Sequence, residues 1–165
     1  MSIVTVLICS AIAITAFLFW ELVAWITHKY VMHGFLWSWH RSHHTKHHHT
    51  LERNDLFALV FSIPALGLFY YGGMISPNPY VIAFAIGITC YGLFYFIFHD
   101  VIVHQRIAWR ISRKSKYLQR MINAHYIHHS RRTKEGCEAF GFLFASKKYQ
   151  PETLNHPLPK KTQLH

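Results

Sequence analysis

The sequence predicts an all-α integral membrane protein of about three to four transmembrane helices with cytoplasmic extensions. Three observations predict it: apolar residues collect in three blocks, most charges lie outside those blocks, and all 15 histidines fall away from the middle of any block. Residues 3–25, IVTVLICSAIAITAFLFWELVAW, carry one charge, Glu21, near their end. About 20 apolar residues are needed to cross a hydrocarbon core of roughly 30 Å, so this block reads as a first span. Residues 56–73, LFALVFSIPALGLFYYGG, form a shorter candidate containing Pro64, and residues 80–98, YVIAFAIGITCYGLFYFIF, a third with no charge. Between the last two lies MISPNP, a short turn rich in Pro and Asn. Residues 136–145 are apolar but too short to cross, so a fourth membrane element there is expected to be re-entrant or interfacial. With 165 residues the chain suits one domain, 1–165, ending in a polar tail over 146–165.

Charge sets the expected orientation. The 74–79 turn and the start of the chain carry no Lys or Arg, whereas the 26–55 loop carries Lys29, Arg41, Lys46 and Arg53. The other 13 basic residues all follow His99. By the positive-inside rule, the 26–55 loop and the C-terminal third face the cytoplasm. The net charge of +10 is thereby accounted for without nucleic acid. No basic residue precedes the first apolar run, so that run lacks the charged start of a secretory signal and is expected to stay in the protein. Cys9, Cys90 and Cys137 are odd in number and form no CxxC pair, which argues against a disulfide framework or cysteine-bound zinc.

The histidines repeat. His28 and His33 (HKYVMH) precede His40, His43 and His44 (HRSHH); His99 and His104 (HDVIVH) precede His125, His128 and His129 (HYIHH). Each half is HxxxxH followed by HxxHH, and each HxxxxH continues directly from an apolar span. On an α-helix HxxHH places its imidazoles on one face, while the HxxxxH pair diverges by about 140°. Each HxxxxH pair is therefore expected to straddle two metals lying side by side. Imidazole suits iron, zinc, copper and nickel, and ten ligands exceed the three or four of a single zinc site. The spacing thus predicts a histidine-rich di-metal site at the cytoplasmic face. Iron at two adjacent positions can activate O2, which lone zinc cannot.

Taken together, HKYVMHG (28–34), HRSHH (40–44), ND (54–55), YGLFYFIFHDVIVHQR (91–106), AHYIHHS (124–130) and KEGCEAFGFLFA (134–145) resemble the bacterial β-carotene hydroxylases. These belong to the wider fatty acid hydroxylase and sterol desaturase superfamily of membrane di-iron enzymes. The resemblance implies a monooxygenase acting on C3 of the β-ionone rings, taking β-carotene to β-cryptoxanthin and zeaxanthin. It also implies O2 as co-substrate, two iron ions and an external donor such as ferredoxin, in a bacterial inner membrane. By the same resemblance, one iron lies near His28, His40, His43, His125 and His128, and the other near His33, His44, His99, His104 and His129. Zinc outranks iron(II) in intrinsic affinity and is the expected substitute in purified protein. His47, His48 and His49 fall outside the family pattern and are expected to be dispensable.

Around these ligands, Asp100, Asn54, Asp55, Glu135 and Glu138 are candidates to accept a ligand's second N–H. For Asp100 an ion pair with Arg106 competes with that role, and for Asn54 and Asp55 a helix N-cap is the preferred reading. The basic stretch 106–120 is a candidate surface for an acidic electron donor and for lipid headgroups. Trp25, Phe94, Tyr95 and Phe98, at the ends of the spans, are candidate walls for an apolar substrate entering from the bilayer. Two rival functions fit less well. A fatty acid or sterol hydroxylase or desaturase does not explain the motifs at 99–106 and 134–145, and a metal transporter calls for ionisable residues at mid-membrane.

Overall fold

The computed structural model describes residues 1–45, 51–107, 109 and 115–152. Among them, every regular element is helical. His47, His48 and His49, residues 153–165 of the 146–165 tail with His156 and His165, and part of the 106–120 stretch lie outside the described residues.

Helix α1 (Ile3–Ile26) starts at Ser2, whose Oγ accepts the Thr5 N–H at 3.1 Å. It runs on into a π-helical stretch, Thr27–Phe35, which kinks at the non-helical Gly34 (φ -105, ψ -120) ahead of the short α2 (Trp37–His44). A 3-10 turn at Arg53–Asp55 leads into α3 (Leu56–Tyr70), which widens into a π turn at Tyr71–Ile75. Asn78 opens α4 (Pro79–Tyr95): its Oδ1 accepts from Tyr80 N at 2.9 Å and Val81 N at 3.4 Å, with Pro79 at the first helical position. Like α1, α4 continues into a π-helical stretch, Phe96–Val103. Ser115 caps α5 (Lys116–Ser130), and a second 3-10 turn covers Lys147–Tyr149.

Three helices, Ile3–Phe35, Arg53–Ile75 and Pro79–Val103, are long and apolar enough to cross a membrane. They contain the three blocks expected at 3–25, 56–73 and 80–98 and overrun them. The apolar side chains stop, but the hydrogen-bonded backbone goes on and carries histidines past the lipid-compatible part. Ile3, Leu7, Ile14 and Leu18 of α1 and Leu59, Ile63 and Leu66 of α3 are exposed, as a lipid-facing surface requires. No fourth spanning helix occurs among the described residues. Residues 136–145 instead form irregular backbone that buries Phe140 and Phe142 inside the protein. The C-terminal segment also begins docked, with Tyr149 buried and its carbonyl accepting from Asn123 Nδ2 at 2.9 Å.

Helix α4 packs between α1 and α3. Its approach to α1 depends on Gly87, where a Cβ would stand 2.3 Å from Ala13 O and 2.7 Å from Ala16 Cβ. Such small-residue contacts are the usual means of bringing membrane helices together. The main core lies where the far ends of α1 and α4 meet α5, and contains Ala24, Tyr91, Phe98, Ile102, Val103, Met121, Ile122 and Phe142. Glu21, the one charge of the first span, is buried there. Its Oε2 accepts from Tyr91 Oη at 2.7 Å, and its Oε1 from Phe142 N at 2.8 Å and Leu143 N at 2.9 Å. It ties α1 to α4 and to the irregular segment, and Gly141 makes room for it: a Cβ there would lie 2.7 Å from Glu21 Oε1. Replacing Gly87 by Leu is expected to separate α1 from α4 and cost about 1–3 kcal/mol. Gly92→Ala, with nothing within 4 Å of its Cβ, is expected to be neutral; thermal unfolding of both variants in detergent checks the contrast.

Candidate metal centre

Ten histidines converge beyond the ends of α1 and α4, in two groups of five. His28, His33, His40, His44 and His128 form the first group, and His43, His99, His104, His125 and His129 the second. Within each, one ring nitrogen per residue lies within 4.8 Å of all the others. The groups adjoin, with the rings of His44 and His129 stacked at 4.5 Å.

This grouping corrects the partition expected from the resemblance: His33 and His44 belong with His28, and His43 and His125 with His99. The reason is local. Both HxxxxH pairs lie on π-helical backbone, where the hydrogen bond runs from residue i+5 back to i. His104 N donates to His99 O at 2.9 Å and Leu36 N to Val31 O at 3.0 Å. Residues five apart are then a single turn apart and face the same way, not about 140° away as on an α-helix. Ring centroids are 5.3 Å apart for His28 and His33 and 4.5 Å for His99 and His104. Each pair therefore serves one group.

The HxxHH boxes behave oppositely, because α2 and α5 are ordinary α-helices. At about 100° per residue, positions i and i+4 lie about 40° apart while i+3 sits to the other side of i. His40 and His44 join the first group and His43 the second; His125 and His129 join the second group and His128 the first. Each group thus takes one HxxxxH pair, the outer two histidines of the following box, and the middle histidine of the other box.

Hydrogen bonds aim the rings. A carbonyl oxygen can only accept, so an imidazole nitrogen bonded to one must carry the proton. His28 Nδ1 donates to Phe140 O at 3.0 Å, His33 Nδ1 to Lys134 O at 3.2 Å, His44 Nδ1 to Arg131 O at 2.8 Å and His128 Nδ1 to Glu138 O at 2.9 Å. His40 Nδ1 donates to Asn54 Oδ1 at 2.7 Å. All five Nε2 atoms of the first group are therefore bare lone pairs, and they face each other. His28 and His40 are 3.1 Å apart, His33 and His128 3.1 Å, and His44 and His40 3.2 Å, Nε2 to Nε2. In the second group His43 Nδ1 meets Glu52 Oε2 at 3.1 Å and His99 Nδ1 meets Asp100 Oδ2 at 3.4 Å. Their Nε2 atoms are 2.8 Å apart, those of His104 and His125 3.1 Å apart, and the buried Nε2 of His129 has no partner among the described residues.

Converging lone pairs without protons between them repel, and a cation relieves that repulsion. Protonation does not offer the same relief. Burial first, then neighbouring imidazoles, holds His40, His43, His104, His125, His128 and His129 well below the ordinary 6.5. Burial brings His44 to about 4. Neutral imidazoles are the donor set that iron, zinc, copper or nickel takes; the first group offers them with fixed Nδ1–H tautomers, and the second converges in the same way although the buried His125 Nδ1 has no partner among the described residues.

Among the expected acceptors, Asn54 and Asp100 contact rings of the two histidine groups; the N-cap preferred for Asn54 is not its role. Asp55 accepts from Glu52 N at 2.9 Å and pairs with Arg106. Asp100 also pairs with Arg106, so its two expected roles coexist. Glu138 contributes its backbone carbonyl, not its carboxylate, which pairs with Lys148. Glu135 is exposed and touches no histidine. Sequence reasoning missed Glu52 and the four carbonyls of residues 131–140. Glu52 was legible as an acid shortly before the ND motif; backbone acceptors leave no mark in side-chain identity. Among the four candidate substrate walls, Phe94, Tyr95 and Phe98 pack in the core, with Tyr95 stacked on His99 at 4.7 Å. Trp25 lies against Tyr30 under the Lys29 ammonium.

Two residues near the site adopt left-handed backbone: Gln105 (φ 52), directly after His104, and Ala139 (φ 62), between the carbonyls that hold His128 and His28. Each costs about 1–2 kcal/mol in a non-glycine residue, a strain tolerated where backbone placement serves a site.

Residues 13–146 match the family described as Fatty acid hydroxylase. A protein named Beta-carotene hydroxylase from Paracoccus sp. (strain N81106 / MBIC 01143) is 43% identical over 135 residues, 81% of this chain and 82% of that one. One of the same name from Pantoea ananas is 45% identical over 126 residues, 76% of this chain and 70% of that one. Beta-carotene 3-hydroxylase 2, chloroplastic, from Arabidopsis thaliana is 35% identical over 109 residues, 65% of this chain and 36% of that one. No solved structure matches the chain significantly.

Two outcomes are expected. Asn54→Ala releases His40 Nδ1 and weakens metal binding about 10–100-fold, whereas Glu135→Ala leaves it unchanged; competition with a metal-sensitive dye measures both. In metal-free protein, imidazoles that stay neutral when folded but take up protons near 6.5 when unfolded destabilise the fold in acid. Thermal stability in detergent is therefore expected to hold above pH 6.5 and fall steadily as the pH drops from 6.5 toward 4, the span between the unfolded and folded values for His44.

Proposed function

Because this chain belongs to the fatty acid hydroxylase family, we propose that it is a membrane monooxygenase that hydroxylates C3 of the β-ionone rings of carotenoids, taking β-carotene to β-cryptoxanthin and then zeaxanthin. One observation carries the reading: two adjoining groups of five converging imidazoles stand in a chain 43% identical, over most of both lengths, to a protein named Beta-carotene hydroxylase. In each turn, one substrate C–H, O2, two electrons and two protons become one C–OH and one water. Two iron ions, one held by each group of five, would supply the O2 activation that no side chain provides.

The protein's own groups do the rest. In the first group the Nδ1–H bonds keep the Nε2 atoms bare and aimed inward, and beside the second group the aromatic residues Tyr95, Phe98 and Phe142 keep water from that side of the centre. An apolar substrate reaches such a centre from the bilayer, along helices whose outer surfaces are apolar. Electrons come from a separate donor, ferredoxin or a protein like it, since the chain carries no flavin or iron–sulfur motif. The asymmetry of Lys and Arg supports insertion in a bacterial inner membrane with the histidines at the cytoplasmic face.

The test is the pigment profile of a β-carotene-producing bacterium expressing the chain beside a His128→Ala control. Zeaxanthin and β-cryptoxanthin are expected with the intact chain and neither with the control. Unchanged β-carotene beside inserted, iron-loaded protein would overturn the substrate and move the search to sterols and to fatty acids, the latter named in the family's description.

A further inference from the structure

The two groups differ in what stands behind them. Neutral acceptors, four backbone carbonyls and the Asn54 amide, hold the first group. Carboxylates back the second: Glu52 on His43 and Asp100 on His99. One cation, Arg106, links the Asp100 carboxylate to that of Asp55, which also holds the backbone N–H of Glu52. Arg106 grips Asp55 with both arms of its fork, at 2.7 Å each, and reaches Asp100 Oδ1 at 2.9 Å. Asp55 Oδ2 in turn accepts from Glu52 N at 2.9 Å. The chain His43–Glu52–Asp55–Arg106–Asp100–His99 closes on itself where the two Nε2 atoms meet at 2.8 Å.

The backbone is shaped for this ring. The left-handed Gln105 turns the chain straight after His104, and Arg106 N donates to Asp100 O at 2.9 Å, which presents the guanidinium to both acids. The link joins the end of α4's π-helical stretch to the start of α3, two parts of the chain that otherwise hold His99 and His43 independently.

Resting on the proposed pair of metals, we infer that Arg106 is a positioning residue closing a carboxylate ring behind the second histidine group, which makes that group the tighter and more electron-rich of two unequal metal positions. A carboxylate accepting an imidazole N–H raises the basicity of the opposite nitrogen, and a charge-assisted bond is stronger than one to a neutral oxygen. The first group, backed by neutral oxygens, lacks that push. Lysine cannot replace Arg106, because its single ammonium cannot span both acids with fixed forked geometry.

The test uses full-length protein in detergent, loaded anaerobically with iron-57 as iron(II), in wild type, Arg106→Lys, Asp100→Asn and the exposed control Glu135→Gln. Iron per chain, the time course of extraction by an iron(II) chelator, and the Mössbauer spectrum are read. Wild type is expected to hold two irons, give two doublets of equal area, and lose iron in a fast and a slow phase. Arg106→Lys and Asp100→Asn are expected to speed the slow phase about 10–100-fold, leave the fast phase alone and shift one doublet only; Glu135→Gln changes nothing. Single-phase loss from wild type, equal shifts in both doublets, or an Arg106→Lys variant indistinguishable from wild type would overturn the inference. Fewer than two irons in fully loaded wild type would overturn the two-metal reading beneath it. Arg106→Lys retains the charge and so decides the matter even where Asp100→Asn does not fold.

Discussion

The site depends on one kind of hydrogen bond, in which an imidazole Nδ1–H is held by a fixed oxygen so that Nε2 is left bare and pointing inward. All five rings of the first group are held in this way. Without those oxygens the rings would rotate or exchange tautomers, and ten histidines in one region would be a loose chelator. With them, buried neutral nitrogens face each other at about the distance of a hydrogen bond with no hydrogen to share. That arrangement is unfavourable in isolation, and the protein sustains it because the surrounding helices and the 131–143 segment are anchored independently.

Anchoring comes from two directions. From the membrane side, α1 and α4 are locked by the close approach at Gly87 and by Glu21, whose carboxylate accepts from Tyr91 and from the backbone of Phe142 and Leu143. A carboxylate in such surroundings is costly unless its lone pairs are occupied, and three donors occupy them here. From the other side, the irregular segment that Glu21 holds down delivers the carbonyls of Arg131, Lys134, Glu138 and Phe140 to four imidazoles. Irregular backbone suits this task because its carbonyls are not consumed by a helix. Glu21 is thus one hydrogen-bonded layer removed from the histidines and still sets where they point.

The π-helical stretches solve a problem of register. A spanning helix has to present two histidines to one group, and on α-helical backbone a five-residue spacing would turn them apart. Widening the turn brings them into line without interrupting the helix. The two halves use the same device, and each lends the middle histidine of its box to the other group, so neither group is complete without the other half. In the second half the widened turn ends at the left-handed Gln105, and the strain there places Arg106 against the two acids.

Much of this protein is determined by sequence alone. Three apolar blocks dictate three spans, because lipid admits no other cheap arrangement of backbone polar groups. The repeated HxxxxH and HxxHH patterns identify the ten histidines that come together, because that spacing has no use on a lipid-facing or solvated surface. Asp100 is legible as a ring acceptor from its place beside His99, whereas Asn54 reads first as a helix N-cap and only the fold sets it against His40. The tertiary structure alone decides which histidines share a group, since that turns on whether the backbone is α or π, a choice made by packing at the ends of α1 and α4 and not by the spacing itself. It alone decides that carbonyls of 131–140 hold the first group while carboxylates hold the second, since a carbonyl is common to every residue and only the path of the chain says which one meets an imidazole.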